Sequence, residues 1–221
     1  MGRRSLRNID PGVDLSPFLK TPDELPQPWD APQLFGRIAP LEIEVGSGKG
    51  LFLVAAARAQ PERNFLGIEL ARKYARLVAS RLARHALTHA RIVHGDARRV
   101  LASLVPDHAV DAVHVYFPDP WWKKRHRKRR VMTASFLRDL DRVLVPGGQL
   151  HFWTDVHEYF EATLSLIAAT VSWEGPWDEP LRTPTHELDY RTHFERRMRL
   201  GGHEVYRARF ARPRPSPGAA D

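Results

Sequence analysis

The chain contains no cysteine and no long apolar run, and each absence excludes several kinds of protein. Without cysteine, disulfide scaffolds, zinc ribbons, iron–sulfur clusters and thiol nucleophiles are excluded. The longest uninterrupted apolar stretch is residues 51–57, far shorter than the roughly 18 residues that span a bilayer. Acidic residues and prolines follow Arg3 and Arg4 where a secretory signal needs an apolar segment, and Leu6 stands where N-myristoylation needs Ser or Thr. We predict a cytoplasmic protein.

Length and composition indicate one folded domain with extensions at both ends. The 221 residues are 43% hydrophobic, which is enough for a sizeable core. Six prolines fall within residues 1–33, which we predict to be an irregular arm with a short helix near Leu15–Lys20. Residues 34–211 form the predicted domain, and the Pro-rich residues 212–221 are predicted to be a disordered tail.

Positive charge is concentrated in one segment. The chain has 34 Lys and Arg against 26 Asp and Glu, a net charge of +8, and seven of the eight residues 123–130 are Lys or Arg. A basic domain most often binds phosphate groups. On its own, however, a charge run is usually a solvated face or a localisation signal.

Strand-like and helical patterns alternate along the predicted domain. We predict strands at 41–45, 64–68, 91–94, 111–117 and 149–153, and helices at 51–59, 71–85, 98–104, 134–144 and 156–171, the fourth helix being stopped by Pro146-Gly147-Gly148. Residues 204–210 alternate in polarity and predict an antiparallel edge strand. This order predicts an α/β fold, a doubly wound, mostly parallel sheet with helices on both faces.

A glycine-rich turn joins the first strand to the first helix. Glycines at Gly46, Gly48 and Gly50 let the backbone approach a ligand, and a helix N-terminus follows them. A P-loop is excluded because Ile43 stands where its first glycine is needed, and the spacing also differs from the dinucleotide-binding fingerprint. Glu44 would repel a pyrophosphate but suits a cationic ligand. A turn that serves only backbone geometry is the alternative.

Two further acids follow the next two strands. Glu69 lies 23 residues after Gly46, near the offset at which an acid binds ribose hydroxyls, and Asp96 is placed to accept from an adenine amino group. Each acid alone is more often a helix cap or a solvated charge. Together with Glu44, at successive strand ends, they indicate S-adenosylmethionine, an adenosine with a positive charge.

The fourth strand runs into a turn in which prolines enclose Asp119. Pro118 and Pro120 hold the acid between aromatic residues, where a base could stack while the carboxylate accepts from its edge. A Pro-rich turn packed by aromatics is the alternative. Because the basic run starts at Lys123, directly after the turn, we favour a nucleic-acid groove.

Two later segments give weaker signals. Asp155 ends the fifth strand on the ligand side, and Thr192 with Glu195 precedes a basic stretch, although that pair also fits a helix capping box. The eleven histidines show no metal-binding spacing, so we predict no metal.

One block resembles the signature of the bacterial TrmB-type tRNA (guanine-N7)-methyltransferases: residues 117–121, Lys123, 125–126 and 128–130. The order of the glycine turn, the strand-end acids, Thr154-Asp155 and Thr192–Glu195 is similar to that family too, from about residue 41 to residue 210. Trp122 and Lys124 occupy positions that we take as variable.

The resemblance implies a class I S-adenosylmethionine-dependent methyltransferase with a Rossmann-like fold. It implies methyl transfer to N7 of a guanosine in the variable loop of tRNA. We infer no obligate protein partner. The cofactor would be bound by Glu44, Gly46, Gly48, Glu69, Asp96 and Asp119, of which Asp119 would also be catalytic. The substrate nucleoside would be bound by Lys123, Asp155, Thr192, His193, Phe194 and Glu195. The tRNA backbone would be contacted by Arg125, His126, Arg127, Lys128, Arg129 and Arg130.

Two other classes of function stay open from the sequence. A methyltransferase of this fold could act on another RNA, or on a protein or a small molecule. With a protein or small-molecule substrate, RNA would not stimulate cofactor turnover. A non-catalytic RNA-binding module would not bind S-adenosylmethionine. The intact glycines and Glu69 argue against the second.

Overall fold

The computed structural model describes residues 9–179 and 190–215, without the side chains of Lys124 and Arg127. Its strands are β1 Leu19–Lys20, β2 Leu41–Val45, β3 Asn64–Glu69, β4 Ala90–His94, β5 Val110–Tyr116, β6 Leu144–Thr154, β7 Glu174–Trp177 and β8 Tyr206–Ala211. Its α-helices are α1 Ala31–Phe35, α2 Leu51–Ala59, α3 Arg72–Arg84, α4 Ala97–Ser103, α5 Ala134–Val143, α6 His157–Thr170 and α7 His193–Leu200. Short 3₁₀ helices cover Pro22–Glu24 and Lys124–Arg129.

The strands form one sheet in the order β1-β4-β3-β2-β5-β6-β8-β7. Strands β1 to β6 pair in parallel, and β8 is antiparallel to both β6 and β7. The predicted doubly wound, mostly parallel sheet is therefore confirmed. The prediction of an edge strand at 204–210 is wrong in one respect, because β8 is antiparallel but lies inside the sheet. Its outer neighbour β7 contains Gly175-Pro176, a pair that opposes a strand prediction.

Two separate cores cover the two faces of the sheet. Leu66 and Ile68 of β3 face the core that packs against α4, α5 and α6, whereas Phe65 faces the core that packs against α2 and α3. This alternation follows from the two-residue period of a strand. Gly67 also faces the second core, where a Cβ would lie 2.8 Å from Leu53 of α2. Close packing of α2 therefore fixes the helix that follows the glycine turn.

The Pro146-Gly147-Gly148 segment, which the sequence predicts to stop the helix before it, belongs to β6. Helix α5 ends at Val143, and β6 begins at the next residue. The pairing of β5 with β6 shifts register between Val110 and Ala112. A proline without an N–H is accommodated at such an irregularity.

The N-terminal arm joins the sheet instead of forming the helix predicted near Leu15–Lys20. A single turn, closed by the Leu19 N–H on the carbonyl of residue 15 at 2.8 Å, leads into β1 beside β4. The Arg91 guanidinium on β4 then packs between the rings of Phe18 and Phe35, at 5.8 and 5.7 Å. A two-residue strand has no pattern of its own, so only the folded sheet shows it.

Across residues 9–179 and 190–215, no helix combines the length and the apolar character needed to cross a membrane. Of the predicted tail, residues 216–221 lie outside the described residues. The domain boundaries stay predictions.

Candidate active site

The glycine turn presents open backbone at the carboxyl edge of the sheet. Gly46 and Gly48 have φ angles of 79° and 51°, and a Cβ on either would point into space with no atom within 4 Å. Gly50 differs, because a Cβ there would lie 2.6 Å from Val78 of α3. The third glycine is thus required for helix packing, while the first two leave the backbone free to be approached by a ligand.

Glu44 is a buried carboxylate beside this turn with an unsatisfied oxygen. Its side chain is 3% exposed, and its Oε2 makes no hydrogen bond of good geometry within the described residues. Burial raises the pKa of Glu44 to about 7, the nearby charge of Glu69 adds to the rise, and Ser47 and the Leu53 backbone partly offset it. A buried acid in this state favours any cation that reaches it.

Glu69 ends β3 and braces the glycine turn. Its two carboxylate oxygens accept the N–H groups of Gly48 and Ala71, each at 2.7 Å. Exposed Leu70 follows it directly, with 71% of its surface accessible.

Asp96 caps helix α4. Its carboxylate accepts the Arg98 N–H at 2.9 Å and pairs with the Arg98 guanidinium at 2.9 Å. The side-chain bond from Arg98 holds the pKa of Asp96 below its ordinary value. The alternative of a helix cap is therefore realised, and its proposed contact with adenine stays a prediction.

Two residues with left-handed backbone enclose the turn around Asp119. Phe117 and Trp121 have φ angles of 51° and 42°, which cost energy for residues with bulky side chains. The Phe117 N–H donates to the Trp153 carbonyl at 2.7 Å, which fixes one end of the turn. At the other end, Arg130 donates to the Pro120 carbonyl at 2.7 Å. The exposed carboxylate of Asp119 is therefore held on a rigid segment.

The basic run divides into anchoring and exposed members. Arg129 lies over the Trp121 ring at 5.0 Å, and Arg130 packs on the Tyr159 ring at 4.6 Å. Arg125 and Lys128 point to solvent. The Arg130 Nε donates to the Pro120 carbonyl and its guanidinium packs on Tyr159, so Arg130 also supports the Asp119 turn. That the whole run contacts the RNA backbone stays a prediction.

Of the other members of the run, His126 is partly buried. His126 packs edge-on against the Trp121 ring with centroids 5.7 Å apart, and it accepts from the Arg125 Nε at 3.3 Å. Lys123 is exposed. The side chain of Arg127 lies outside the described part of the chain.

Helix α7 places a second aromatic residue beside the Asp119 turn. The Phe194 ring lies 4.9 Å from the Phe117 ring. Thr192 caps the helix by accepting the Glu195 N–H at 2.9 Å. The predicted segment Thr192–Glu195 is therefore adjacent to the turn, with His193 exposed at its start. Asp155, partly exposed, follows β6 at the same edge of the sheet.

Glu195 is the exception within that segment. It is 1% exposed, accepts the Arg191 N–H at 2.6 Å, and pairs with Arg199 at 3.0 Å. Both of its carboxylate oxygens are therefore engaged within the protein, and its role in substrate binding stays a prediction. Glu195 also positions the start of α7.

A buried polar network beneath this edge was not foreseen. His114 on β5 binds Glu42 at 2.8 Å through Nε2 and stacks on His151 at 4.7 Å. Burial lowers the pKa of His114 to about 4, against the opposing effect of Glu42. At neutral pH the ring is therefore uncharged and donates to the carboxylate.

The network continues to Glu179 and Arg191. Glu179 accepts from His151 and from the Trp153 indole N–H; burial opposes its ionisation, but these bonds lower its pKa to about 2. The Arg191 guanidinium lies 5.3 Å from the Trp153 ring and 5.9 Å from the rings of Phe52 and Tyr116. Since Arg191 directly precedes Thr192, this aromatic box fixes the start of α7.

No group of three or more metal-binding side chains occurs among residues 9–179 and 190–215. The site is therefore a set of carboxylates, open glycine backbone, aromatic rings and cations along one edge of the sheet.

Comparison with known proteins identifies the family. Residues 38–208 match the family model Methyltransf_4, described as "Putative methyltransferase". A tRNA (guanine-N(7)-)-methyltransferase of Rhodopirellula baltica is 50% identical over 213 residues, which cover 94% of this chain and 79% of the relative. A tRNA (guanine-N(7)-)-methyltransferase of Hydrogenovibrio crunogenus is 38% identical over 81% of this chain and 75% of the relative. The chain belongs to the TrmB-type tRNA (guanine-N7)-methyltransferase family.

Solved structures support the fold at lower identity. The 16S rRNA methyltransferase KamB superposes with a TM-score of 0.61 at 18% identity, covering 82% of this chain and 91% of KamB. The 16S rRNA (adenine(1408)-N(1))-methyltransferase from Catenulisporales acidiphilia, solved with SAM, superposes with a TM-score of 0.60 at 22% identity. The match covers 90% of this chain and 94% of that structure. The predicted Rossmann-like methyltransferase fold is confirmed.

Proposed function

We propose that this family member transfers a methyl group from S-adenosylmethionine to N7 of a guanosine in the variable loop of tRNA. The observation that carries the proposal is the Asp119 turn, an exposed carboxylate held rigidly between the edge of the sheet and a basic run. The relatives named tRNA (guanine-N(7)-)-methyltransferase support the same activity. The proposal places the protein in the cytoplasm, with tRNA as its partner.

The residues present fit S-adenosylmethionine. The unpartnered Oε2 of Glu44 is an acceptor without a donor, and open backbone at Gly46 and Gly48 leaves room for a ligand. Glu69, already fixed by two backbone N–H groups, is the proposed acceptor for ribose hydroxyls. When bound, the cofactor supplies an electrophilic methyl group on a positively charged sulfur.

Guanine N7 carries a lone pair and no proton, so the site needs no general base. What remains for the protein is to place the base and keep water out, and placement alone can contribute a large part of the rate. Methylation leaves a positive charge on the imidazole ring of the base. The proposed role of Asp119 is to stabilise that charge as it develops, since a fixed carboxylate needs little reorganisation.

The proposed nucleoside contacts are Lys123, Asp155 and the Thr192–Phe194 segment, which approaches the turn through the contact between Phe194 and Phe117. Phosphate contacts are assigned to Arg125 and Lys128, whose side chains are exposed. Arg129 and Arg130 support the turn through their contacts with Trp121 and Pro120.

The test is mass spectrometry of nucleosides after unmodified tRNA is incubated with the protein and S-adenosylmethionine. We expect 7-methylguanosine with the wild type and a loss of it with Asp119→Asn, which keeps the shape of the side chain and removes its charge. Asp23→Asn, on a side chain 85% exposed in the arm, is the matched control and should behave as the wild type. Methylation of another atom, or full activity of Asp119→Asn, would contradict the proposal.

A further inference from the structure

Trp122 is the most exposed of the six tryptophans in the chain. Its side chain has 58% of its surface accessible, against 38% for Trp177 and 3% for Trp153. An exposed indole is a large apolar surface that a folded protein normally covers. Its position is three residues after Asp119 and one residue before the basic run.

The neighbouring Trp121 shows that the exposure of Trp122 does not follow from a lack of packing partners nearby. The Trp121 ring packs against Arg129 and His126 and anchors the turn. Trp121 has a left-handed backbone and a partly buried indole, whereas the next indole is exposed. Two adjacent tryptophans therefore have different roles.

The surroundings of Trp122 are strongly positive. Lys123, Arg125 and Lys128 are exposed, and none of them has a carboxylate within 4 Å in the part of the chain that the structure describes. Such a patch repels a basic partner and attracts a polyanion. Single-stranded nucleic acid suits both the positive patch and the exposed indole, because its phosphates pair with cations and its bases stack on aromatic rings.

We propose that Trp122 stacks on an unstacked base of the substrate RNA, next to the base that Asp119 contacts. The inference rests on the proposed function and extends it, because it assigns a base contact to a residue outside the family signature. Stacking tolerates any base, so Trp122 contributes affinity and a preference for loops over paired RNA. Charge contributes separately through Arg125 and Lys128.

The two contributions separate in their salt dependence. Phosphate contacts release counterions, so the double variant Arg125→Gln, Lys128→Gln should bind tRNA with a weaker salt dependence. The slope of the log–log plot of affinity against salt concentration should decrease in magnitude by about 1.4 to 1.8. Stacking releases none. Trp122→Ala should weaken tRNA binding by about fivefold to a hundredfold at every salt concentration, which leaves a line parallel to that of the wild type.

The experiment measures binding of an unmodified tRNA transcript and of heparin, a polyanion without bases. Trp122→Ala should lose affinity for the transcript, keep its affinity for heparin, and bind S-adenosylmethionine as the wild type does. Trp122→Phe should restore most of the tRNA affinity. Ile38→Ala, which removes another exposed apolar side chain just before β2 (90% accessible), is the matched control and should bind as the wild type.

Wild-type affinity in Trp122→Ala, an equal loss for heparin, or no rescue by phenylalanine would each overturn the stacking role. If the wild type itself neither binds nor methylates the transcript, the proposed function fails, and the base contact fails with it. A wild type that methylates tRNA alongside an unaffected Trp122→Ala overturns the stacking role alone.

Discussion

Glu44 gives a direct test of whether a cationic cofactor binds at the end of β2. In the free protein, burial holds the pKa of Glu44 at about 7 instead of the ordinary 4.5. If a cation binds against the unpartnered Oε2 and the pKa returns toward 4.5, binding releases about nine-tenths of a proton at pH 6 and almost none at pH 8. Cofactor affinity should then rise about tenfold from pH 6 to pH 8.

The same shift affects stability with a defined sign. Because the folded pKa lies above the unfolded value, the folded state holds a proton that the unfolded state loses between pH 4.5 and pH 7. The stabilisation from this group is complete below pH 4.5 and is lost as pH rises through 7. A shift of this size corresponds to about 3 kcal/mol. Glu44→Gln should therefore gain on the order of 3 kcal/mol over the wild type between pH 4.5 and pH 8.

Two measurements check the argument. Calorimetric titration with S-adenosylmethionine in buffers of different ionisation enthalpy counts the released protons, and urea unfolding across the pH range follows the stability. Glu44→Gln is the control for protons released by the cofactor's own amino group, because it leaves that group intact. Proton release that is unchanged in Glu44→Gln, together with parallel stability profiles, would refute the reasoning.

Three further substitutions separate roles in the site. Glu69→Ala should weaken cofactor binding by about one to two decades, as expected for the loss of a hydrogen bond to a charged group. It should also lower the Tm, because the Gly48 N–H loses its acceptor. An unchanged cofactor affinity in calorimetry would exclude the ribose role of Glu69. Arg130→Met should lower kcat while tRNA affinity and its salt slope stay unchanged, since Arg130 holds the Pro120 carbonyl; a flatter slope would return it to the phosphate contacts. Arg191→Met should lower the free energy of unfolding in urea by about 1–2 kcal/mol, and Arg191→Lys should lower it less. An unchanged urea midpoint in Arg191→Met would show that the aromatic box does not stabilise the fold.

Much of the central sheet could be predicted because its strands are rich in apolar residues, and β2, β3, β4 and β6 end at or next to a glycine or an acid. Strand β2 and helix α2 have the predicted bounds, Leu41–Val45 and Leu51–Ala59. The two strands at the edges of the sheet were harder to predict. Strand β7 contains a Gly-Pro pair and β1 has two residues, so both exist through pairing with neighbours and not through a pattern of their own.

The same distinction applies to the site. Its contiguous motifs could be predicted because each follows a strand of the sheet, and parallel strands bring their carboxyl ends to one edge. The contacts of His114 with Glu42 and with His151 could not, since they join strands 72 and 37 residues apart through the order of the sheet. Likewise, only the folded structure distinguishes Arg130, which contacts Pro120 and Tyr159, from Lys128, which is exposed.

The left-handed residues that enclose the Asp119 turn determine which partner must adapt. A segment fixed by the sheet at Phe117 and by Arg130 at Pro120 has little freedom to follow an incoming nucleotide. The nucleic acid must therefore supply the movement, by unstacking a base and bringing it to a surface that is already formed. Bases in loops leave their stack at lower cost than bases in a duplex. Discrimination among RNA sites can thus arise from the flexibility of the RNA, with a rigid protein as the template.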